Sequence, residues 1–171
     1  VRDRGPSRET LHRGVARQEI GSLQAGPGLG DRAPDFTLPA IDQGGDVQLS
    51  DTVGKQAIVL IFGNFTCGPF RRQSGNIQKL HRLYGDRAEF LMVYVREAHP
   101  TDGWSSDRNA QHGIRIAQPK SDDQRRQVAE RCAAHLDFQF PVLVDHVDDH
   151  VGSLYSGMPN RLYLIDASGI I

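Results

Sequence analysis

Two long apolar runs, separated by an amphipathic stretch, dominate the middle of the chain. Residues 57–62 and 90–95 are apolar at nearly every position, as is typical of strands that are buried on both faces of a parallel sheet. Residues 70–83, which lie between these runs, place their apolar side chains at helical spacing. Strand, helix and strand in this order predict a parallel crossover, and therefore an α/β fold.

Shorter elements continue this alternation on either side. Residues 124–136 predict a second helix, and residues 141–144 and 161–166 predict two further strands. Residues 47–50 follow a glycine-rich turn and predict a short strand ahead of the first long one. The expected architecture is a central sheet flanked by helices, formed by one domain over residues 31–171.

The two ends of the chain differ from this domain. Residues 1–30 are rich in arginine and glycine, and they predict a flexible arm. At the other end, Ile170-Ile171 follows a turn signal and predicts the beginning of a strand, whose neighbour would need more chain. The sequence therefore predicts an arm followed by one domain with an unfinished sheet.

Composition narrows the classes of function. The 171 residues carry a net charge of -1 at pH 7, which does not favour nucleic acid or an anionic membrane surface as a partner. No apolar run reaches the ~18 residues that a membrane span needs, and no leader resembles a signal peptide. With two cysteines, the chain is not a disulfide scaffold. A reducing compartment, and so a cytoplasmic location, is expected.

Cys67 carries the candidate chemistry, because it lies between the end of a strand and the start of a helix. Unpaired backbone N–H groups and the positive end of the helix dipole stabilise a thiolate at such a position. The pKa of Cys67 is therefore expected to be low and its sulfur nucleophilic. An inert buried cysteine is the alternative, but the flanking Thr66 and Gly68-Pro69 favour a reactive turn.

The second cysteine, Cys132, has two interpretations. It shares a helix face with Val128 and Leu136, which is the pattern of a core residue. If its helix lies near Cys67, Cys132 could instead resolve an oxidised Cys67 by forming a disulfide. Both interpretations stay open at this point.

A second group of polar and aromatic residues follows the strand over residues 90–95. Glu97, His99 and Trp104 come after it, at the carboxyl edge where α/β sheets build their sites. His99 can donate a proton, Glu97 can fix the tautomer of the histidine ring, and Trp104 offers a flat face to an aromatic ring. The alternative is a solvated histidine with a core tryptophan.

Four further polar positions allow a functional and a plain interpretation. Tyr94 could bind substrate or hydrogen-bond beside His99, and Arg161 could meet a carboxylate or phenolate or else pair at the surface. His146 and His150 have the i, i+4 spacing of metal ligands, but a metal site needs at least three convergent ligands. An acidic surface turn is the better interpretation of the two histidines, so no metal site is predicted.

The residues around Cys67 resemble the active-site turn of thioredoxins. In the run from Thr66 to Arg71, Phe70 stands where a second cysteine is usual, so disulfide exchange across the turn is excluded. Pro159 resembles the cis-proline of that fold, and residues 30–38 are similar to the start of peroxiredoxin-like redoxins. The resemblance implies a thioredoxin-like α/β fold with a central mixed sheet flanked by helices, truncated here before its final strand and helix.

A longer match resembles the iodothyronine deiodinases. Residues 93–104 and 144–163 are similar to segments of that family, which usually carries selenocysteine where this chain has Cys67. The resemblance implies reductive dehalogenation of an iodinated aromatic by a cysteine-dependent oxidoreductase. Cys67 would attack, Thr66, Glu97 and His99 would be its catalytic neighbours, and an external thiol would restore the cysteine.

Two other functions remain open on the sequence. A peroxiredoxin-like thiol peroxidase would use the same nucleophile on a peroxide, although Asn64 stands where such enzymes usually have threonine. A non-enzymatic redox-sensing or interaction module would oxidise Cys67 slowly. The expected partners are a small-molecule substrate and a thiol reductant or thioredoxin-type donor. No bound cofactor is expected, and a homodimer is left open.

Overall fold

The computed structural model describes residues 26–42 and 44–171, so residues 1–25 of the predicted arm lie outside the described residues. Its strands and helices form one α/β arrangement, and they are close to the elements that the apolar pattern predicts. In chain order they are β1 (Thr37–Pro39), β2 (Asp46–Gln48), β3 (Ala57–Gly63), α1 (Gly68–Tyr84), β4 (Ala88–Tyr94), α2 (Asp107–Gln111), α3 (Asp122–Leu136), β5 (Val142–Val144), α4 (His150–Leu154) and β6 (Arg161–Ile165).

The central sheet has four strands in the order β5-β4-β3-β6. β3, β4 and β5 are parallel, whereas β6 is antiparallel to β3. β1 and β2 form a separate antiparallel pair, which an isolated bridge between Ala40 and Leu143 joins to β5. The predicted mixed sheet of a thioredoxin-like fold is thus confirmed.

β3 and β4 form the centre of the core, because their side chains are buried on both faces of the sheet. Every residue of β4 from Phe90 to Tyr94 is at most 3% exposed, and Leu60 and Phe62 of β3 are fully buried. Complete burial of one large apolar side chain contributes about 1.5–3 kcal/mol. Burial on both faces is the reason why both strands are continuous apolar runs in the sequence.

Helix α1 begins directly after Cys67, which is its N-cap residue. Pro69 in the first turn favours this start, because the N–H that proline lacks has no partner within the helix there. The buried Phe70 ring packs against the end of β3, where a Cβ placed on Gly63 would come within 2.4 Å of it. Phe70 is therefore a core residue, and the close approach requires glycine at position 63.

Three loops meet at the edge of the sheet where β3 and β4 end. The parallel register pairs Gly63 with Tyr94, the last residues of β3 and β4. β6 runs in the opposite direction and pairs its first residue, Arg161, with Phe62. The loop after β3, the loop after β4 and the loop before β6 are therefore neighbours.

Candidate active site

The thiol of Cys67 lies at this edge and is in contact with the loop before β6. Cys67 is 2% exposed, and its Sγ accepts a hydrogen bond from Asn160 Nδ2 at 3.1 Å. The Met158–Pro159 peptide bond is cis, as the resemblance implies, and the Pro159 carbonyl accepts a hydrogen bond from Asn64 Nδ2 at 2.9 Å. Hydrogen bonds from Asn160 and from Asn64 thus join this loop to the turn that carries the thiol.

Burial raises the pKa of the Cys67 thiol, so the expected low pKa is wrong. Removal of water from around the sulfur destabilises the thiolate and is the largest influence. The backbone N–H of Phe70, the Asn160 amide and the Arg71 guanidinium favour the thiolate without outweighing burial, and the Glu97 carboxylate opposes it. The helix start acts as predicted, but the sequence does not show that the sulfur is covered.

Thr66 connects the Cys67 turn to a buried carboxylate. Glu97 Oε2 accepts hydrogen bonds from the Thr66 N–H at 2.9 Å and from the Thr66 hydroxyl at 2.6 Å. The Tyr94 hydroxyl donates to Oε1 of Glu97 and accepts from the Phe65 N–H at 3.0 Å. Burial raises the pKa of Glu97, although the hydrogen bonds from Thr66 and Tyr94 act against this. These contacts fix the turn against the end of β4.

His99 lies beside the same threonine and is oriented by Trp104. Its backbone N–H donates to Thr66 Oγ1 at 3.0 Å, its Nδ1 is 3.1 Å from the Trp104 carbonyl oxygen, and the two rings meet edge to face. Because a carbonyl only accepts, Nδ1 carries a hydrogen, and Nε2 is left for proton exchange. The prediction that Glu97 orients this ring is wrong, since the Glu97 oxygens bond Thr66 and Tyr94.

Two predicted substrate-binding residues have surroundings that the sequence did not show. Tyr94 is fully buried, so its hydroxyl supports the turn and does not face a substrate. Arg161 is exposed, and its Nη1 donates to the Tyr163 hydroxyl at 3.2 Å. With Asn160 and Phe70, Arg161 lines a groove of about 240 Å³ between α1 and β6. Substrate binding by Arg161 and Trp104 stays a prediction.

Arg71 and Asn109 support the turn in a way that sequence reasoning missed. Arg71 donates from Nη1 to the Phe65 carbonyl and from Nη2 to Asn109 Oδ1 at 2.8 Å. Asn109, which is 4% exposed in α2, donates from Nδ2 to the Thr66 carbonyl at 2.8 Å. Neighbouring carbonyls of the turn are thus paired. A single asparagine in a short polar helix gives no sequence signal for this role.

Cys132 is completely buried in α3, and burial raises its pKa strongly. Val128 and Leu136 on the same helix face are partly buried against the core. These surroundings agree with the interpretation of Cys132 as a core residue. A role in resolving an oxidised Cys67 stays a prediction.

The two histidines of the acidic turn are not gathered around a common centre. His146 Nδ1 lies 2.7 Å from Asp122 Oδ2, and both side chains are about half exposed. The hydrogen bond raises the pKa of His146 and lowers that of Asp122. Within residues 26–42 and 44–171, no three histidine, cysteine, aspartate or glutamate side chains converge on a point that could hold a metal ion.

Solved structures with low sequence identity share this fold. The thioredoxin domain of a thiol-disulfide oxidoreductase from Bacteroides vulgatus superposes with a TM-score of 0.60 at 16% identity, covering 85% of this chain and 86% of that one. A reduced 2-Cys peroxiredoxin from Plasmodium vivax gives 0.55 at 17% identity, covering 84% and 69%. Both confirm the predicted thioredoxin-like fold.

None of the helices in the described part has the length and apolar character needed to cross a membrane.

The sequence comparisons identify the family. The family model for iodothyronine deiodinase matches residues 12–171. A thyroxine 5-deiodinase from Sparus aurata is 32% identical over 139 residues, which are 80% of this chain and 50% of that protein. The chain spans about half the length of the curated relatives it matches. The predicted resemblance is confirmed, and the chain belongs to the iodothyronine deiodinase family.

Proposed function

We propose that this protein is a cysteine-dependent oxidoreductase that removes iodine from an iodinated aromatic compound, with an external thiol as the reductant. The observation that carries the proposal is the connection of Cys67 through Thr66 to both Glu97 and His99, at one edge of the sheet. Thr66 thereby holds the proposed nucleophile, Cys67, and the proposed proton donor, His99, in fixed relative positions. Family membership supports an oxidoreductase and suggests the class of substrate.

The proposed reaction has one proton-consuming step and two thiol steps. The Cys67 thiolate attacks iodine, the carbon–iodine bond breaks, and the carbon receives a proton, which gives the reduced aromatic and a sulfenyl iodide on Cys67. A first external thiol releases HI and forms a mixed disulfide, and a second thiol releases Cys67 and an external disulfide. The aromatic compound is reduced, and two external thiols are oxidised.

The residues that contact the Cys67 turn fit these steps. His99 Nε2 is the nitrogen that remains for proton delivery, since the Trp104 carbonyl holds Nδ1. His99 also lines a small recess of about 180 Å³, together with Asn109 of α2. Thr66 and Glu97 act as positioning residues, because their hydrogen bonds fix the turn and the backbone of His99.

A slow redox-sensing module is the second candidate, and one observation favours it. Cys67 is nearly covered and burial raises its pKa, as expected of a thiol that reacts slowly at neutral pH. In that case, alkylation of Cys67 at pH 7 would be no faster than that of an ordinary thiol, and His99→Ala would not change the rate. Loss of reactivity in His99→Ala would favour the enzyme.

The test is iodide release from thyroxine under excess dithiothreitol, with hydrogen peroxide consumption measured in parallel. We expect iodide release that is lost in Cys67→Ser and retained in Cys132→Ala, the matched control at the second cysteine. Rapid peroxide loss without iodide would make the protein a thiol peroxidase. If neither iodide release nor peroxide consumption is observed, an enzymatic role for Cys67 with these substrates is rejected.

A further inference from the structure

The side chain of Asn160 contacts the sulfur of Cys67 directly. Its Nδ2 donates to Cys67 Sγ at 3.1 Å, across a sequence separation of 93 residues. Asn64 holds the preceding residue in place, because its own side-chain amide donates to the Pro159 carbonyl at 2.9 Å. The position of Asn160 is therefore set by the turn that carries the thiol.

A buried thiolate needs hydrogen-bond donors, because it has lost those that water would supply. The groups that face this sulfur come from three elements. Helix α1 contributes the Phe70 N–H and the Arg71 guanidinium. The loop after β4 contributes the Glu97 carboxylate, and the loop before β6 contributes the Asn160 amide. Glu97 disfavours the anion. The Asn160 amide is the neutral side-chain donor that offsets this effect.

We propose that Asn160 is a catalytic residue that stabilises the thiolate form of Cys67 by donating a hydrogen bond to its sulfur. An amide donates but cannot take the proton, so the thiol proton passes to solvent or to substrate and Asn160 stays neutral. Asparagine side chains of this kind carry no motif, and their sequence neighbours do not suggest the role. The inference rests on the proposed function of Cys67 as a nucleophile.

The test measures the thiol itself, and it needs no iodinated substrate. The rate of alkylation of Cys67 by iodoacetamide is followed from pH 7 to pH 12 by mass spectrometry of the Cys67 peptide. Asn160→Leu keeps a similar shape without a donor, and Asn160→Asp places an anion beside the sulfur. Asn76→Leu is the matched control. Asn76 is an exposed asparagine of α1 that lines the same groove as Asn160, and its side chain bonds Gln73 instead of the sulfur.

We expect the midpoint of the alkylation profile to rise by about one pH unit in Asn160→Leu and further in Asn160→Asp, because hydrogen bonds to charged groups are stronger than neutral ones. Asn76→Leu should leave the midpoint unchanged. Asn160→Gln, which keeps the amide, should recover part of the shift.

Two results would overturn the proposal. An unchanged midpoint with a faster limiting rate at high pH would mean that Asn160 only covers the sulfur. Equal shifts in Asn160→Leu and Asn160→Gln would mean that the loop has moved and that the amide is not responsible; circular dichroism of each variant checks folding. If iodide is never released but the midpoint shifts as expected, the proposed reaction fails and the role of Asn160 stands.

Discussion

Replacement of Thr66 by valine tests the connection between the Cys67 turn and its surroundings. Valine has nearly the shape of threonine, because it carries a methyl group where threonine carries its hydroxyl. That hydroxyl donates to Glu97 Oε2 at 2.6 Å and accepts from the His99 N–H at 3.0 Å. The substitution therefore removes a donor from a buried carboxylate and an acceptor from a backbone N–H at once.

The expected cost follows from these two contacts. A hydrogen bond to a charged group contributes about 1.5–3 kcal/mol, and an unpaired backbone N–H adds about 1 kcal/mol when it is only half-buried. Glu97 keeps the Thr66 N–H and the Tyr94 hydroxyl as donors, so the loss of the hydroxyl bond costs less than it would at an otherwise unpaired carboxylate. We expect Thr66→Val to lower the free energy of unfolding by about 2–4 kcal/mol.

Thr66→Ser is the matched control, because serine keeps the hydroxyl and loses one methyl group. Removal of that buried methyl costs about 1 kcal/mol. Urea unfolding at pH 7, followed by circular dichroism, gives both values. If Thr66→Val is no more destabilising than Thr66→Ser, the two hydrogen bonds of the hydroxyl contribute no more than one methyl group, and the assignment of Thr66 as a positioning residue is wrong.

Two further predictions concern packing and pH. Gly63→Ala should lower the free energy of unfolding by about 1–3 kcal/mol, because its Cβ would come within 2.4 Å of the Phe70 ring. Gly75 lies in α1, the helix that carries Phe70, and a Cβ added there would meet open space. Gly75→Ala should therefore raise the free energy of unfolding by about 0.5–1 kcal/mol, and thermal unfolding of both variants measures the two changes. The pair between His146 and Asp122 should stabilise the protein by less than about 1 kcal/mol, because both side chains are half exposed. Since the folded pKa of Asp122 lies below 3.8 and that of His146 above 6.5, this contribution should be present at pH 5.5 and disappear as pH rises through the His146 value. A difference between wild type and His146→Gln that is as large at pH 9 as at pH 5.5 would contradict it.

The apolar pattern was sufficient to predict the elements that build the sheet. Residues 57–62 and 90–95 correspond to β3 and β4 within one or two residues, because strands buried on both faces consist almost entirely of apolar residues. The position of Cys67 between strand and helix followed from the same pattern. The short helices α2 and α4 were not predicted, since five residues are too few to show helical periodicity.

The contacts of the thiol could not be predicted, because they depend on residues far away in the sequence. Asn109 and Asn160 reach the turn only after α2 and β6 have packed, and a lone asparagine has no pattern of its own. The burial of Cys67 has the same origin. Local reasoning about the helix dipole was therefore correct about one influence on the pKa and silent about the larger one.

The antiparallel course of β6 has a consequence for the order in which the site is assembled. β3, α1 and β4 follow one another in the chain, so their contacts are local, whereas Asn160 reaches Cys67 across a separation of 93 residues. Contacts of large sequence separation cost more loop-closure entropy and form later in folding. The cover of the sulfur is therefore expected to be completed only after β3 and β4 have paired.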